Sequence, residues 1–387
     1  MIWSGIVQLV AFPAKLAIFI ISIIIPRRND LIICTAGPEG RFAENPKYVY
    51  LELVDDDRFD VQWLARDGET ASQLKDNGLP VVTAGTFGGI MALLRAGTVI
   101  ISHDYRWEYL GGATILQTHH GNPLKRIGRD LQDSVGWRYR FESMFLRNWD
   151  YLIVTGEAPT EAFKSAYAHS DNELLLTGYP RTDVLHRTIQ YSHLDGTNDH
   201  SQWAEFFCEN RIVLYMPTWR RGTYGADGLS LSNHGLDFDR IDKFCKRHSM
   251  EFVLKFHPSE SMSVDTNEKI HELPSDTDVY DLLSNVDILV TDYSSVYFDF
   301  LLVDNPVVFY AYDLDPYRES RGFYFDYDDV TPGPTVQCMS DLLDSLEVAI
   351  EPGDEYSDHR EEVRKRFYKY KDGKSTERVI EKINSCN

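Results

Sequence analysis

Short apolar segments alternate with longer amphipathic segments along most of this chain, and this pattern constrains the fold more than any other feature. The apolar runs are predicted to be buried strands, and the segments between them have the spacing of helices. Strands that alternate with helices are typical of parallel βαβ units, in which both faces of the sheet are covered. In this first series, strands are predicted at 30–36, 59–65, 79–83, 98–102, 115–117, 150–155 and 174–176, and helices at 45–54, 72–77, 90–96, 131–148 and 159–168.

A second series follows a polar stretch at 191–202, which has no apolar period and is predicted to be a linker. Its strands are predicted at 211–216, 251–256, 287–290 and 306–310, and its helices at 238–247, 279–284, 294–302 and through most of 339–383. Two such series predict an α/β protein with two facing Rossmann-like domains and a cleft between them. The predicted parts are an N-terminal segment at 1–29, a first domain at 30–190, a linker region at 191–210, a second domain at 211–350 and a helical tail at 351–387.

The N-terminal segment is the most apolar part of the chain. Residues 2–25 are almost all apolar, and Arg27 and Arg28 follow directly. A cleavable signal peptide carries its positive charge before the apolar core, so this order argues against one. The length is sufficient for a bilayer, which takes about 20 apolar residues, but Pro13 and Lys15 make an interfacial or re-entrant anchor an equal alternative to a spanning helix. In either case the two arginines predict a cell-membrane protein whose remaining chain lies on the cytoplasmic side.

The charge balance limits the classes of partner. A net charge of −21 argues against a general nucleic-acid binder, because binding to a phosphate backbone needs a basic surface. It does not exclude a small anionic ligand, which a local cluster of basic groups can bind. The five cysteines are scattered and lack Cys-x-x-Cys spacing, so neither a disulfide framework nor a zinc site is predicted.

A pair of histidines, His119 and His120, follows the predicted strand at 115–117 and precedes Gly121. A strand that ends in histidine places an imidazole at the carboxyl edge of its sheet, where open α/β sheets bind ligands. Such an imidazole can serve as a general base. The segment that follows is predicted to open a helix, and three of its basic side chains are candidates for holding an anion: Lys125, Arg126 and Arg129. The simpler interpretation is a loop whose histidines are only solvated.

A further histidine, His257, follows the predicted strand at 251–256, and Pro258 stops that strand. At the equivalent edge of the second domain, this imidazole is a candidate second wall of the cleft, opposite His120. A histidine that merely lies in a turn is the simpler interpretation.

The segment around Asp292 has the pattern of an anion-binding turn. A strand closes just before Asp292, and Ser294 or Ser295 opens an apolar helix. A helix N-terminus has free backbone N–H groups and the positive end of the helix dipole, which suits a phosphate or a pyrophosphate. The alternative is that a serine only caps the helix.

Two arginines, Arg220 and Arg221, lie in the loop after the predicted strand at 211–216, next to Trp219. A guanidinium can bind a phosphate through two parallel hydrogen bonds. Solvated arginines are the alternative, although basic residues gathered at strand ends are less expected in a chain this acidic.

Several well-known nucleotide motifs are absent from the sequence. It has no Gly-x-Gly-x-x-Gly and no P-loop, so the dinucleotide oxidoreductase and P-loop classes lose their main support. Asp313 and Asp315 follow a strand and superficially resemble the metal-binding acidic pair of one glycosyltransferase class. The other acidic runs are typical of turns, and no metal site is predicted.

Taken together, these residues resemble the CDP-glycerol glycerophosphotransferase family, the teichoic acid primases and polymerases. The resemblance covers roughly residues 37–378, and alignment on Gly121 makes His120 the histidine of the His-Gly motif. Six motifs carry it, in this order: Asn45-Pro46-Lys47, His120-Gly121 with Pro123-Leu124-Lys125, Gly178-Tyr179-Pro180-Arg181, Pro217-Thr218-Trp219-Arg220, His257-Pro258, and Thr291-Asp292-Tyr293-Ser294-Ser295 with Asp299.

The resemblance implies a GT-B-like fold, with the nucleotide donor held by the C-terminal domain and the acceptor approaching from the N-terminal domain. It implies an enzyme of cell-surface polymer synthesis at the inner face of the membrane, in keeping with the apolar N-terminus. The implied reaction is attack by a hydroxyl of a lipid-linked or glycan acceptor on the β-phosphate of CDP-glycerol, or of a related CDP-polyol. This reaction forms a phosphodiester and releases CMP.

The resemblance and the side-chain chemistry together assign roles. His120 is the predicted base, His257 is the second predicted catalytic residue, and the leaving CMP needs donors that stabilise its charge. The residues predicted to bind substrate are Lys125, Arg181, Thr218, Arg220, Asp292, Ser294 and Ser295. Because the positive groups can replace a cation, a mechanism with neither metal nor cofactor is expected.

Two other functions stay open on the sequence alone. A GT-B glycosyltransferase that uses a nucleotide sugar fits the same fold, because fold alone does not fix function. A membrane-attached nucleotide-binding protein without activity also fits. Release of CMP from CDP-glycerol, compared with turnover of UDP-sugars, distinguishes these possibilities.

Overall fold

The computed structural model describes all of the chain except residues 1, 38–39, 132–148, 168–169, 171–172, 196, 198, 219–234, 257–266 and 387. At 2–12 it describes the backbone alone. The helix predicted at 131–148 therefore lies almost entirely outside the described residues.

The first domain is built on a seven-stranded parallel sheet. Its strands are β1 (Arg28–Thr35), β2 (Asp60–Ala65), β3 (Val81–Thr83), β4 (Ala96–Ile101), β5 (Thr114–Gln117), β6 (Tyr151–Val154) and β7 (Leu174–Leu176). The helices of this half of the chain are α1 (Ile2–Ile24), α2 (Glu44–Leu53), α3 (Gly68–Asp76), α4 (Phe87–Arg95) and α5 (Glu157–Tyr167). The sheet order is β3-β2-β1-β4-β5-β6-β7, and β4 is buried along its whole length, as expected for a parallel sheet covered on both faces.

The second domain repeats this topology with six parallel strands. They are β8 (Arg211–Met216), β9 (Met250–Lys255), β10 (Ile270–Leu273), β11 (Ile288–Thr291), β12 (Val307–Tyr310) and β13 (Thr335–Val336), in the order β10-β9-β8-β11-β12-β13. The remaining helices are α6 (His200–Glu209), α7 (Phe238–His248), α8 (Val296–Phe300), α9 (Leu314–Arg321), α10 (Tyr327–Val330), α11 (Met339–Ala349), α12 (Ser357–Phe367) and α13 (Ser375–Cys386).

Each sheet has a point where the strand order reverses. In the first sheet this point lies between β1 and β4, and in the second between β8 and β11. The connections on the two sides of such a point leave in opposite directions and open a crevice at the carboxyl ends of the strands, where α/β proteins bind ligands. The two domains therefore supply two candidate walls for one cleft.

The C-terminal tail packs on the first domain, although it follows the second in the chain. The carboxylate of Asp183 accepts hydrogen bonds from the backbone N–H groups of Ser375 and Thr376, at 2.9 and 2.8 Å. The hydroxyl of Thr155 donates to the carbonyl of Phe367 at 2.6 Å. Contacts of this kind tie the first domain to both tail helices, α12 and α13.

The predicted α/β architecture is confirmed, and most predicted strands agree with the structure to within two residues. The helix predicted at 279–284 is wrong, because these residues form turns and a 3₁₀ turn at Leu283–Asn285. The short strand β10 was not predicted, and α6 occupies much of the predicted linker at 191–210. The polar residues before α6 obscure its apolar face, which buries Phe207.

The N-terminal helix α1 rests on the first domain. The backbone N–H of Gly111 donates to the hydroxyl of Ser22 at 2.9 Å, and the rings of Phe19 and Trp107 lie 5.5 Å apart. Four isoleucine side chains near the end of α1 are more than half exposed: Ile20, Ile21, Ile23 and Ile24. Among the described residues, no helix combines the length and hydropathy needed to cross a bilayer.

The two arginines after α1 are bound to protein groups. The guanidinium of Arg27 donates to five backbone carbonyls, and its partial burial lowers the pKa of Arg27 to about 10. These carbonyls belong to Ser22, Leu93, Ala96, Tyr109 and Gly111. Arg28 pairs with Asp30 and Asp60. The positive charge that the sequence offers for membrane orientation is thus largely engaged within the fold.

Candidate active site

Neighbouring strands of the first sheet bring titratable residues to its reversal point. Glu44 begins α2, which follows β1, and His103 follows β4. His119 and His120 follow β5. Because β4 lies between β1 and β5, residues far apart in sequence meet at one carboxyl edge.

The three imidazoles form a stack. The ring of His120 lies between those of His103 and His119, with 4.3 Å between centroids on each side and interplanar angles of 12° and 14°. On the outer side of the stack, Nδ1 of His103 lies 3.5 Å from Oε2 of Glu44. The His120 side chain is exposed, whereas His119 is buried. His120 is therefore the imidazole of this pair that a substrate in the cleft can reach.

The surroundings shift the pKa values of the three rings in different directions. Although desolvation opposes a charge, the nearby carboxylate of Glu44 raises the pKa of His103. Desolvation by the protein atoms around it, and then the charge of His103, lower the pKa of His120 to about 4. His120 is consequently unprotonated at neutral pH, which is the state a general base requires.

His119 supports this arrangement from below. Its Nδ1 lies 3.1 Å from the carbonyl of Gly121 and therefore carries the proton, while Nε2, at 3.3 Å from the Tyr167 hydroxyl, accepts. Desolvation and the charges of His120 and His103 lower the pKa of His119 well below its ordinary value. His119 is a neutral, buried residue that holds the loop in place.

Backbone strain is concentrated in the same cluster. Glu44 has a φ of 63° and His119 a φ of 54°. Both values lie in the left-handed region, which residues other than glycine rarely adopt. The amide of Asn45 donates to the carbonyls of Thr118 and His119, at 3.1 and 3.0 Å, and so holds both strained segments. Such strain clusters at functional sites, where the surrounding structure enforces it.

Asp292 organises the facing edge of the second sheet. It is completely buried, and its Oδ1 accepts hydrogen bonds from the backbone N–H groups of Thr218, at 2.8 Å, and of Tyr293. The hydroxyl of Tyr327 donates to the carbonyl of Asp292 at 2.9 Å. The loops after β8 and β11, on the two sides of the reversal point, are thereby fixed together. Asp292 therefore orients these loops, and its predicted part in binding substrate stays a prediction.

Ser294 and Ser295 follow Asp292 and are partly exposed. The helix that follows, α8, has five residues and is shorter than predicted, so its dipole is small. The hydroxyl of Ser295 makes no capping hydrogen bond to α8. The simple capping interpretation therefore does not account for this side chain.

The two edges touch at Gly121, which has a φ of 148°. A Cβ atom at this position would lie 2.3 Å from the hydroxyl oxygen of Ser295 and 3.4 Å from the guanidinium of Arg181. The residue after His120 must therefore be a glycine for the loop after β5 to reach the loop after β11. The predicted base and the predicted phosphate-binding serines are thus brought together.

Arg181 lies in a buried ion pair between the domains. Its guanidinium donates to Oδ2 of Asp299 at 2.6 and 3.0 Å, and Asp299 also accepts the hydroxyls of Tyr280 and Tyr368. Although burial opposes a charge, Asp299 raises the pKa of Arg181. The guanidinium of Arg181 is thus engaged by Asp299, and its role in binding substrate stays a prediction.

Lys125 lies in a second contact between the domains, and the predicted helix at its position is wrong. Lys125 forms an isolated antiparallel bridge with Phe323. On either side of the bridge, the N–H of Tyr324 donates to the carbonyl of Leu124 at 2.9 Å, and the N–H of Arg126 donates to the carbonyl of Gly322 at 3.1 Å. The extended backbone is favoured because it pairs with a strand-like segment of the second domain. The Lys125 side chain is partly exposed.

Two predicted site residues, His257 and Arg220, lie outside the described residues. Their predicted contacts therefore stay predictions. Just before His257, the described part of β9 ends in Lys255, whose ammonium donates to the carbonyl of Ser275 at 2.5 Å. Desolvation and the charge of Arg41 lower the pKa of Lys255 to about 7.

The sequence analysis missed Glu44 and His103. His103 follows the strand predicted at 98–102, which is the same signal that identified His120 and His257, so this pattern could have indicated it. Glu44 precedes the Asn45-Pro46-Lys47 motif, but nothing in the sequence indicates that it faces His103. In the part of the chain that the structure describes, no group of three or more His, Cys, Asp or Glu residues has an arrangement that could hold a metal ion.

Two Rossmann-type domains, with an exposed imidazole on one edge and a fixed serine loop on the other, are the arrangement of a two-domain GT-B-like transferase. Comparison with known proteins makes this more specific. The family model of CDP-glycerol:poly(glycerophosphate) glycerophosphotransferases matches residues 17–385, and this chain belongs to that family. The chain is thus an enzyme of this transferase family.

Similar proteins and structures agree with that assignment. The teichoic acid glycerol-phosphate transferase of Staphylococcus aureus (strain NCTC 8325 / PS 47) is 30% identical over 371 residues, covering 93% of this chain and 94% of that protein. The teichoic acid ribitol-phosphate primase of Bacillus spizizenii (strain ATCC 23059 / NRRL B-14472 / W23) is 25% identical, covering 95% and 94%. The solved structure of the wall teichoic acid polymerase TagF superposes with a TM-score of 0.78 at 23% identity, over 98% of this chain and 95% of TagF. The last likeness concerns the fold alone.

Proposed function

We propose that this chain transfers glycerol phosphate from CDP-glycerol to a hydroxyl of a lipid-linked or glycan acceptor in cell-surface polymer synthesis, and releases CMP. The observation that carries the proposal is the meeting of His120, an exposed and unprotonated imidazole, with the Ser295 loop across Gly121. The imidazole that is proposed to accept the proton and a hydroxyl that is proposed to bind phosphate thus lie on two loops in contact with each other. Family membership supports CDP-glycerol as the donor, and one TagF structure was obtained from crystals soaked with CDPG.

The chemistry requires one base and one anion-stabilising edge. The acceptor hydroxyl oxygen forms a bond to the β-phosphorus of CDP-glycerol, and the bond from this phosphorus to the oxygen shared with the α-phosphate breaks. His120 takes the hydroxyl proton, and CMP leaves with the electron pair of the broken bond. The products are a phosphodiester of the acceptor and CMP.

The second domain is proposed to hold the diphosphate. Ser294 and Ser295 are proposed to donate hydroxyl hydrogens to it, and the loop that carries them is held by Asp292. Preorganised donors stabilise developing charge without having to reorganise during the reaction. His257 and Arg220 are predicted to add positive charge to this edge, and Thr218 to contribute from the loop after β8.

The membrane surface is the proposed location of the acceptor, on the cytoplasmic side. Four exposed isoleucines on α1 support an interfacial contact, with α1 lying on the first domain instead of leaving it. An interfacial helix of this kind binds through its buried apolar area.

Turnover with a panel of donors tests the proposal. The full chain is mixed with membranes that carry the acceptor and with CDP-glycerol, CDP-ribitol, UDP-glucose or UDP-N-acetylglucosamine, and the released nucleotide is measured by mass spectrometry. CMP release from CDP-glycerol that depends on acceptor and on His120 is expected. Turnover of a UDP-sugar with no CMP release from either CDP-polyol would contradict the proposal. A preference for CDP-ribitol would keep the reaction and change the polyol.

A further inference from the structure

One imidazole–carboxylate pair beside the base has no part in the reaction proposed above. Nδ1 of His103 lies 3.5 Å from Oε2 of Glu44 and 3.1 Å from the hydroxyl of Ser102. The Glu44 carboxylate reaches this position from a backbone with a φ of 63°. A strained residue that places its carboxylate on one imidazole indicates a requirement beyond the packing of the loop.

The ring of His103 also lies against the ring of His120. The ring centroids are 4.3 Å apart and the planes are nearly parallel. A proton on His120 would therefore bring a second positive charge directly onto the first, and a like charge this close disfavours the charged form. Of the two stacked rings, the one beside the carboxylate therefore takes up a proton more readily than the one exposed to the cleft.

The charged and titratable groups facing His120 come from separate elements of the first domain. They are His103 after β4, Glu44 at the start of α2, His119 in the same loop and Arg181 in the 3₁₀ turn Pro180–Leu185. His103 and Arg181 disfavour a proton on His120, and Glu44 favours one. His119 faces it as a neutral ring. Among these groups His103 is the nearest cation, because it is in ring contact with His120.

We propose that His103, held in its charged form by Glu44, is a positioning residue that keeps His120 unprotonated and extends the transfer reaction to acidic pH. The catalytic consequence rests on the proposed function, whereas the electrostatic effect on His120 does not. The reaction step is unchanged, since His120 still takes the proton of the attacking hydroxyl. The charge of His103 then favours release of that proton from His120 to solvent.

Replacement of His103 by glutamine tests this inference. Removing the cation while Glu44 remains should raise the pKa of His120 by about one unit or more, toward the ordinary histidine value. A general base is active only when unprotonated, so the acidic limb of the kcat/KM profile should move to higher pH by the same amount. The pKa of His120 is read by NMR from histidine labelled with ¹³C at Cε1, with the resonance assigned from its loss in the His120→Ala variant.

Glu44→Gln separates the two members of the pair. It should lower the pKa of His103, and it should change the pKa of His120 less than His103→Gln does, because it also removes a carboxylate that favours the proton on His120. If Glu44→Gln fails to fold, Glu44→Gly is the second variant, since glycine adopts a positive φ without strain. His271→Gln is the matched control, because it removes an imidazole paired with Glu251 at 2.8 Å on the edge strand β10 and should leave the titration of His120 unchanged.

The outcomes distinguish the two proposals. An unchanged or lowered His120 pKa in His103→Gln overturns this inference, whatever the activity. A raised His120 pKa with no CMP release by the wild-type chain supports the electrostatic role and counts against the proposed function. A raised pKa together with a shifted acidic limb supports both, and a raised pKa with an unmoved limb overturns the catalytic part of the inference.

Discussion

The two edges of the cleft are built from different chemical groups, although their sheets share one topology. The edge of the first domain carries stacked imidazoles and a carboxylate, whose pKa values are shifted in opposite directions and whose backbone is strained. The described edge of the second domain carries the hydroxyl groups of Ser294 and Ser295, on a loop fixed by the buried carboxylate of Asp292. The first edge is suited to moving a proton and the second to holding an anion. Duplicated topology thus supplies two equivalent crevices, and the residues after each strand decide what each crevice does.

Replacement of the proposed base, His120, should have the largest effect on the rate of transfer. If the rate did not fall, the proposed difference between the two edges would be wrong. His120→Ala should lower the rate of acceptor-dependent CMP release by about 10²–10⁴-fold, the range expected for loss of a general base. The melting temperature should stay close to that of the wild type, because the side chain is exposed. Full activity in this variant would remove the proton-moving role from the first edge. Far-ultraviolet circular dichroism and thermal melting serve as the fold controls.

The buried ion pair between Arg181 and Asp299 should contribute to the stability of the protein. Arg181→Met leaves Asp299 buried without its cation, and breaking one side of a buried ion pair costs about 3–5 kcal/mol. The free energy of unfolding in urea should fall by that order. The double variant Arg181→Met/Asp299→Leu should recover a large part of the loss, since it leaves no lone charge. If the Arg181→Met variant were as stable as the wild type, the ion pair between Arg181 and Asp299 would not hold the domains together.

Substitution of Ser294 and Ser295 tests whether the second edge binds an anion. Ser294→Ala and Ser295→Ala should each raise the KM for CDP-glycerol by about tenfold or more, because a hydrogen bond to a charged group contributes about 1.5–3 kcal/mol. The position of the acidic limb of kcat/KM should not move. Ser192→Ala, outside the cleft edges, is the control. A shifted pH profile in either serine variant would argue that the two edges are not chemically separate.

The smallest effect concerns the pH dependence of stability. The pKa of His119 is lowered in the folded state, so below the ordinary histidine value of about 6.5 the unfolded chain binds a proton that the folded chain excludes. Stability should therefore fall as the pH drops from 6.5 to 5, by up to about 1.4 kcal/mol per pH unit from this group. His119→Gln should flatten that slope in urea titrations, even if it lowers stability at every pH. An equally steep slope in the variant would contradict burial of a neutral His119.

The sequence predicted those parts of the site that depend only on one strand and on the residues directly after it. Apolar runs located the strands, and the strand-then-histidine pattern found His120 because the imidazole and the strand end are adjacent in the chain. The same reasoning placed Asp292 and the serines after β11. Local patterns of this kind need no knowledge of the rest of the fold.

Features that depend on contacts distant in sequence were not predictable in this way. The helix expected after Pro123 is replaced by extended backbone because residues near Phe323 pair with it, some two hundred positions away. The turns at 279–284 place Asp278 against Lys47, at 2.7 Å, and against the hydroxyl of Tyr48. Glu44 faces His103 only because β1 and β4 are neighbours in the sheet. No periodicity in a single sequence encodes such pairings.

The bridge between Lys125 and Phe323 has a mechanical consequence. It follows His120 by only a few residues, and Gly121 lies against Ser295 on the same side. Any rotation that separated the two domains at this edge would first have to break the backbone hydrogen bonds around the bridge. Smaller motions that preserve these bonds are expected to move His120 and the serine loop together as one body.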